Sequence, residues 1–170
     1  AELGYFFELV GTDVTIIEME DTLLPREDQE IAEEFTQLVS DRHAVLPGHR
    51  VTEVRSSQGE IRVRAETKKG EVRDVRGDEI LVALGRRPNS DSLSLENTSI
   101  RTDDHGFIET NEYLETAADS IWALGDIADN YMFKHSADYE VEIVKRNAVD
   151  SVREEADFGG MAHAIFTRPQ

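Results

Sequence analysis

The chain has 170 residues, 39% of them apolar, which is enough to bury the core of one ordinary domain or of two small ones. It carries 36 acidic and 18 basic residues, which gives a formal net charge of -18. Because such a polyanion repels phosphate backbones, we expect no nucleic-acid partner. Regular apolar patterns between the acids argue against disorder. We therefore expect a surface adapted to a halophilic cytoplasm, with an acidic mesophilic domain as the alternative.

Two further features of the composition exclude kinds of site. The chain has no cysteine, so a structural disulfide, a thiolate zinc site and thiol chemistry are excluded within it. The five histidines show no metal-ligand spacing, and we expect no metal site. No apolar run is long enough to span a bilayer and no cationic leader opens the chain, so we expect neither a membrane segment nor export.

The first quarter of the chain alternates helix-like and strand-like segments. Residues Ala1–Val10 place apolar side chains at helical spacing and predict a helix. Val14–Glu18 is an apolar, β-branched run typical of a strand buried on both faces, and it ends on an acid. A second helix is predicted over Glu27–Ser40.

The next segments predict strands of two kinds. Arg50–Ser57, Glu60–Thr67 and Glu71–Gly77 alternate apolar and charged residues with period two, which predicts three antiparallel strands with one face in water. Glu79–Gly85 is predicted to be a buried strand, parallel to Val14–Glu18 in one sheet. We expect the second helix on one face of that sheet and the antiparallel strands on the other.

The second half of the chain is less periodic. Short strands are predicted on both sides of a turn at Asp103–Gly106, where two aspartates are followed by histidine and glycine. From Phe133 or Lys134 to about Val149 the composition predicts a helix.

The first helix and strand together suggest a nucleotide site. A helix followed at once by a buried strand with a terminal carboxylate is typical of a mononucleotide-binding β-α-β unit. The acid at the end of that strand accepts hydrogen bonds from the adenosine ribose hydroxyls. Glu18 has this position. The glycine fingerprint that would open the helix is absent, so a solvated strand-end carboxylate is the alternative for Glu18.

Several blocks occur in an order and spacing that match a known family. They are AELGYFFELVGTDVTIIE, DEILVALGRRPN, GFIETNEYLETAADSIWALGDIAD, YMFKHSADYE and AIFTRPQ. The sequence resembles the flavoprotein disulfide reductases of the dihydrolipoamide dehydrogenase, mercuric reductase and mycothione reductase kind. The resemblance implies an α/β fold in three parts. These are a Rossmann-like NAD-binding domain over residues 1–86 that lacks its first strand and glycine loop and includes the antiparallel strands, the returning part of an FAD-binding domain over 87–150, and the start of an interface domain over 151–170.

The resemblance implies contact with FAD at two blocks. Asp126 matches the aspartate that hydrogen-bonds a ribityl hydroxyl, and Gly125 lets the backbone approach the ligand. The segment from Met132 to His135 matches residues whose backbone amides lie beside the pyrimidine edge of the flavin. There the N-terminus of the following helix favours reduction of the flavin. The alternatives are an ordinary loop acid for Asp126 and a helix-capping or exposed histidine for His135. The flavin-edge segment comprises Met132, Phe133, Lys134 and His135.

The resemblance also assigns residues to the nicotinamide cofactor. Glu2 matches a glutamate near the nicotinamide and the flavin ring. Glu18 would select NAD over its 2′-phosphorylated relative, because a phosphate would meet a carboxylate. Ala83 and Gly85 match a strand end close to both cofactors, where larger side chains would intrude. A packed small core residue is the alternative for Ala83.

The implied activity belongs to a longer parent enzyme. That enzyme would pass hydride from NADH through FAD to a cysteine pair outside this chain and on to a disulfide or a metal ion. No catalytic residue is expected in the chain, which alone should be inactive. The parent is expected to be a cytoplasmic homodimer joined by the missing interface domain. The alternatives are a fragment of a flavin NADH oxidase or ferredoxin reductase, and a non-catalytic nucleotide-binding domain. The upstream sequence would separate the three: a cysteine pair supports the disulfide reductase, one cysteine supports the oxidase or ferredoxin reductase, and no cysteine supports the non-catalytic domain.

Overall fold

The computed structural model describes residues 1–150 and 152–168, and it divides them into two compact units. Unit 1 comprises Ala1–Val82 and the described residues from Ala164 onward, and unit 2 comprises Ala83–His163. The predicted α/β class is confirmed, since helices occur with both parallel and antiparallel sheets. The regular elements are α1 (Glu2–Leu9), β1 (Thr15–Ile17), α2 (Gln29–Ser40), β2 (Ala44–Leu46), β3 (His49–Ser57), β4 (Glu60–Thr67), β5 (Val72–Gly77) and α3 (Lys134–Ala148).

Unit 1 contains a parallel pair of short strands. In this pair β1 and β2 run side by side, with Thr15 opposite Ala44. Helix α2 connects them, because a parallel pair needs a crossover rather than a tight turn. The pairing continues one residue beyond β1, where the Glu18 amide donates to the Leu46 carbonyl at 3.0 Å. Glu18 therefore lies at the carboxyl end of a parallel strand.

Unit 1 also contains a three-stranded antiparallel sheet, β3-β4-β5, which confirms the period-two prediction. Gln58 and Gly59 join β3 to β4 with φ values of 52° and 83°, the left-handed pair that a tight hairpin turn needs. On the central strand Val63 and Ala65 are buried, while Arg62 and Arg64 are exposed. The alternation seen in the sequence thus separates a packed face from a solvent face.

Charged side chains connect neighbouring strands across that solvent face. Arg62 Nη2 lies 2.8 Å from Asp74 Oδ2, and Arg64 Nε lies 3.1 Å from Asp74 Oδ1. Hydrogen bonds from Arg64 and then Arg62 hold the pKa of Asp74 below its usual value. These ion pairs join β4 to β5 on the exposed side.

The prediction of a buried strand over Glu79–Gly85 is wrong. No residue of this run is in a strand, and its apolar side chains are exposed, Val82 to 68% and Leu84 to 86%. The parallel neighbour of β1 is β2, which the sequence interpretation missed, so the proposed pairing with Val14–Glu18 is also wrong. Apolar composition favours burial, but a strand also needs a partner for its backbone groups, and the described residues supply none to this run.

Unit 2 consists mainly of loops packed on α3. The predicted turn is confirmed: Asp103 Oδ1 accepts from the amides of His105 (2.8 Å) and Phe107 (2.9 Å), and Gly106 has φ +91°. The predicted short strands are reduced to two isolated bridges, Thr102 with Ile108 and Glu115 with Trp122. Three 3-10 helices were not predicted: Ser90–Leu93, Leu95–Asn97 and Gly125–Ala128.

The core of unit 2 forms between these loops and α3. Its buried apolar residues include Phe107, Ile108, Leu114, Ala123 and Ile143. Helix α3 agrees with its prediction to within one residue at each end. Among the described residues, no helix is both long enough and apolar enough to cross a membrane.

Candidate functional site

The end of β1 in unit 1 carries a group of carboxylates. Glu18 is half-buried, and its Oε1 accepts a hydrogen bond from the Glu20 amide at 3.0 Å. The side chains of Glu20 and Asp21 follow and are exposed. The backbone of this corner is fixed as well, since Gly48 donates its amide to the Glu20 carbonyl at 2.8 Å. In open α/β sheets, ligands bind outside the carboxyl ends of the strands, which is where Glu18 lies.

Glu2 has a contact that the sequence did not predict. Its Oε1 accepts a hydrogen bond from the Phe166 amide at 2.8 Å, which joins α1 to the closing segment of the chain. Within unit 1 the structure thus gives Glu2 and Glu18 separate partners. The other predicted site residues belong to unit 2.

Ala83 and Gly85 are both exposed in unit 2. The alternative that Ala83 is a packed core residue is therefore wrong. Gly85 has φ +128°, and a Cβ added to it would meet no atom within 4 Å. The described residues thus require glycine at position 85 for its backbone conformation, because side chains rarely adopt that φ, and not because of crowding.

The Gly125–Asp126 turn lies against α3 in unit 2. Gly125 is buried with φ +73°, and a Cβ there would be 3.6 Å from the Ala137 Cβ. Asp126 is exposed, and its Oδ2 lies 2.8 Å from Arg86 Nη1. The same nitrogen donates to the Met132 carbonyl at 2.9 Å. Arg86 therefore joins the two blocks that were predicted separately as flavin contacts.

The second of these blocks forms the beginning of α3. Met132 and Phe133 are half-buried, whereas Lys134 and His135 are exposed. Phe133 is the N-cap residue and offers no side-chain hydrogen bond to the first turn. Its ring lies nearly flat on His135, with centroids 5.5 Å apart, and on His163 at 4.9 Å. The first-turn amides of α3 are therefore not occupied by a capping side chain.

Sequence reasoning missed two residues of this site. Arg86 lies in the block DEILVALGRRPN, but no contact with a cofactor was predicted for it. Glu140 lies in the middle of α3, is fully buried, and accepts a hydrogen bond from the Gly125 amide. The available signal was the spacing of Ser136, Glu140 and Ile143, which places all three on one face of the helix.

Together these groups could hold a ligand that carries hydroxyls and a ring that takes up negative charge. Asp126 is an exposed acceptor, and the N-terminus of α3 offers donors and a positive dipole end. This donor and acceptor set fits the part of a flavin that the sequence predicted here. Among the described residues there is no group of three or more histidine, cysteine or acidic side chains able to hold a metal ion.

Known proteins resemble the chain in sequence over most of its length. The family described as pyridine nucleotide-disulphide oxidoreductase matches residues 1–141. A mercuric reductase from Staphylococcus aureus is 31% identical over 99% of this chain and 31% of its own length. A dihydrolipoyl dehydrogenase from Haloferax volcanii is 33% identical over 99% of this chain and 36% of its own length. The chain thus spans about a third of these relatives.

Solved structures resemble the chain in fold. The HOCl-induced flavoprotein disulfide reductase RclA from Escherichia coli superposes with a TM-score of 0.79 and 27% identity, over 90% of this chain and 34% of that one. LpdA from Mycobacterium tuberculosis superposes with a TM-score of 0.85 over 98% of this chain and 36% of that one, at 23% identity. The second similarity concerns the fold alone, and both agree with a Rossmann-like architecture.

Proposed function

Because this chain belongs to the pyridine nucleotide-disulphide oxidoreductase family, we propose that it is the central segment of a longer NAD-dependent flavoenzyme. The complete protein passes hydride from NADH through FAD to a cysteine pair outside this chain, and on to a disulfide or a metal ion. Relatives named dihydrolipoyl dehydrogenase and mercuric reductase support both kinds of substrate. The observation that carries the proposal is the contact of Arg86 with both Asp126 and Met132, which joins the two candidate flavin blocks.

The residues of unit 2 bind and orient the flavin in this proposal. Bound FAD supplies the hydride-transfer chemistry. Asp126 accepts a hydrogen bond from a ribityl hydroxyl, and Gly125, with φ +73°, supplies the sharp turn that presents Asp126 to the ligand. The amides of the flavin-edge segment Met132–His135 point the positive end of α3 at the pyrimidine edge. The segment thus favours negative charge on that side of the ring.

The nicotinamide cofactor binds to other residues in this proposal. Glu18 accepts hydrogen bonds from the adenosine ribose hydroxyls at the end of β1. Glu2 lies near the nicotinamide, and Ala83 and Gly85 lie near both cofactors. The exposure of Ala83 and Gly85 agrees with a surface that a ligand covers.

The domain assignment is part of the same proposal. Residues 1–86 belong to the NAD-binding domain, 87–150 to the FAD-binding domain and 151–170 to the beginning of the interface domain. In this proposal the complete protein is a homodimer joined by its interface domain. It lies in the cytoplasm and has no nucleic-acid or membrane partner. The chain alone has no reductase activity, because the cysteine pair lies outside it.

Flavin binding tests this proposal directly. The complete protein should be yellow as purified, and Asp126→Ala should raise its dissociation constant for FAD about tenfold, the effect of losing one charge-assisted hydrogen bond. Flavin fluorescence after stripping and titration measures the constant. Asp119→Ala removes another exposed aspartate of unit 2 and should change nothing. A complete protein that takes up no flavin would contradict the proposed function.

We further propose that the acidic surface is an adaptation to salt. Carboxylates such as Glu18, Glu20 and Asp21 follow one another closely, so they repel each other at distances below the Debye length of about 10 Å in 0.1 M salt. We expect the melting temperature of the chain to rise between about 0.1 and 2 M potassium chloride, as the remaining repulsion is screened. Differential scanning calorimetry measures this. A flat melting temperature over that range would leave a merely acidic mesophilic domain.

A further inference from the structure

Helix α3 contains a carboxylate that solvent does not reach. Glu140 is 0% exposed, and so is Ser136, which lies one turn before it on the same face. A buried carboxylate is unfavourable unless hydrogen-bond donors surround it. Its donors therefore show what the side chain holds in place.

Three donors surround the Glu140 carboxylate. The Gly125 amide donates to Oε2, Asn130 Nδ2 lies 3.4 Å from Oε1, and Ser136 Oγ lies 3.5 Å from Oε1. These donors belong to the 3-10 helix Gly125–Ala128, to the loop after it and to α3. One buried side chain thus connects the three pieces of backbone that contain every candidate flavin contact between 125 and 135.

The bond to Gly125 determines the direction of the peptide between Leu124 and Gly125, one residue before Asp126. Gly125 has φ +73°, while Leu124 before it is extended, so the chain reverses sharply at this amide. On the exposed side, Arg86 holds the Asp126 carboxylate and the Met132 carbonyl. On the buried side, Glu140 holds the amide of Gly125, the residue before Asp126.

We propose that Glu140 is a positioning residue for the flavin-binding turn. Its carboxylate holds the Gly125 amide against α3, and this keeps Asp126 and the first turn of α3 in the arrangement that receives the ligand. The identity of that ligand rests on the proposed function, whereas the effect of Glu140 on Gly125 does not. Glu140 does not touch the ligand itself.

The chain offers a matched control on the same helix. Glu142 lies two residues further along α3, is exposed, and pairs with Lys145 at 3.6 Å. Glu142→Gln removes the same charge from the same helix without affecting the Gly125 amide. Glu140→Gln keeps one acceptor oxygen and the size of the side chain, so it is the variant expected to fold, and Glu140→Ala removes every acceptor.

The first measurement uses the 170-residue chain and amide NMR. In Glu140→Gln the Gly125 amide should shift upfield and exchange with solvent about tenfold faster, as one charge-assisted bond becomes a neutral one. Glu140→Ala should increase the exchange further, and Glu142→Gln should leave Gly125 as in the wild type. A Gly125 amide unchanged in Glu140→Gln would overturn the proposal, whether or not Glu140→Ala folds.

The second measurement uses the complete protein and separates this inference from the proposed function. Glu140→Gln should raise the FAD dissociation constant about tenfold and shift the flavin absorption band, while Glu142→Gln should do neither. Equal FAD affinity in wild type and Glu140→Gln would overturn the positioning role. Wild type that binds no FAD would overturn the proposed function, and the Gly125 exchange would then decide the role of Glu140 alone.

Discussion

Replacing Glu18 by alanine is expected to lower the preference of the complete protein for NADH over NADPH by about ten- to a hundredfold. In the wild type the carboxylate at the end of β1 would accept from the ribose hydroxyls, while a 2′-phosphate would meet like charge. Its orientation is already fixed, because Oε1 accepts from the Glu20 amide at 3.0 Å. Each lost charge-assisted hydrogen bond costs about 1.5 to 3 kcal/mol, which sets the size of the effect.

The measurement is the ratio of kcat/KM for the two cofactors, at one fixed high salt concentration so that general repulsion stays constant. Glu20→Ala is the matched control. It removes an exposed carboxylate of the same corner, but its side chain is not the one at the strand end. If Glu18→Ala and Glu20→Ala change the ratio equally, the preference comes from general charge, and Glu18 is a solvated strand-end acid.

Replacing Leu114 by alanine is expected to lower the free energy of unfolding of unit 2 by about 2 to 5 kcal/mol. Leu114 is only 1% exposed, and its amide and carbonyl are both bonded, to Asn111 and Ala123. The backbone therefore cannot easily collapse into the space that the side chain leaves. The cost combines the lost burial with the cavity.

Urea unfolding monitored through tryptophan fluorescence measures this loss, since Trp122 is the single tryptophan and lies in unit 2. Leu93→Ala makes the same substitution in the same unit at a side chain that is 51% exposed, and it should cost far less. Similar losses in both variants would mean that Leu114 does not belong to a close-packed core.

Local patterns predicted the elements whose structure depends on nearby residues. The period-two runs gave β3, β4 and β5, because alternation and glycine turns act between neighbours along the chain. Helix α3 was predicted to within one residue at each end, because its helix-favouring composition is also a local property of the chain. Helix α2 begins at Gln29, two residues later than predicted, because the Glu27 amide closes a turn on the Leu24 carbonyl at 3.0 Å.

The wrong strand predictions concern segments whose structure depends on a partner strand distant in the sequence. The run Glu79–Gly85 has the composition of a buried strand, yet none of the described residues pairs with it, and it remains exposed. Strand β2 was missed because three residues, Ala44–Leu46, are too few to show a period. It became a strand only through its pairing with β1.

The sequence by itself determined the acidic character of the protein, its α/β class, its three-stranded sheet, its last helix and, through matching blocks, its family. Only the tertiary structure decided that Arg86 joins Asp126 to Met132 and that Glu140 is buried against Gly125. The physical reason is separation along the chain: Arg86 and Asp126 are 40 residues apart, and Glu140 and Gly125 are 15 apart. Composition and period describe the residues near each position, whereas a hydrogen bond over such a distance depends on how the backbone between its partners folds.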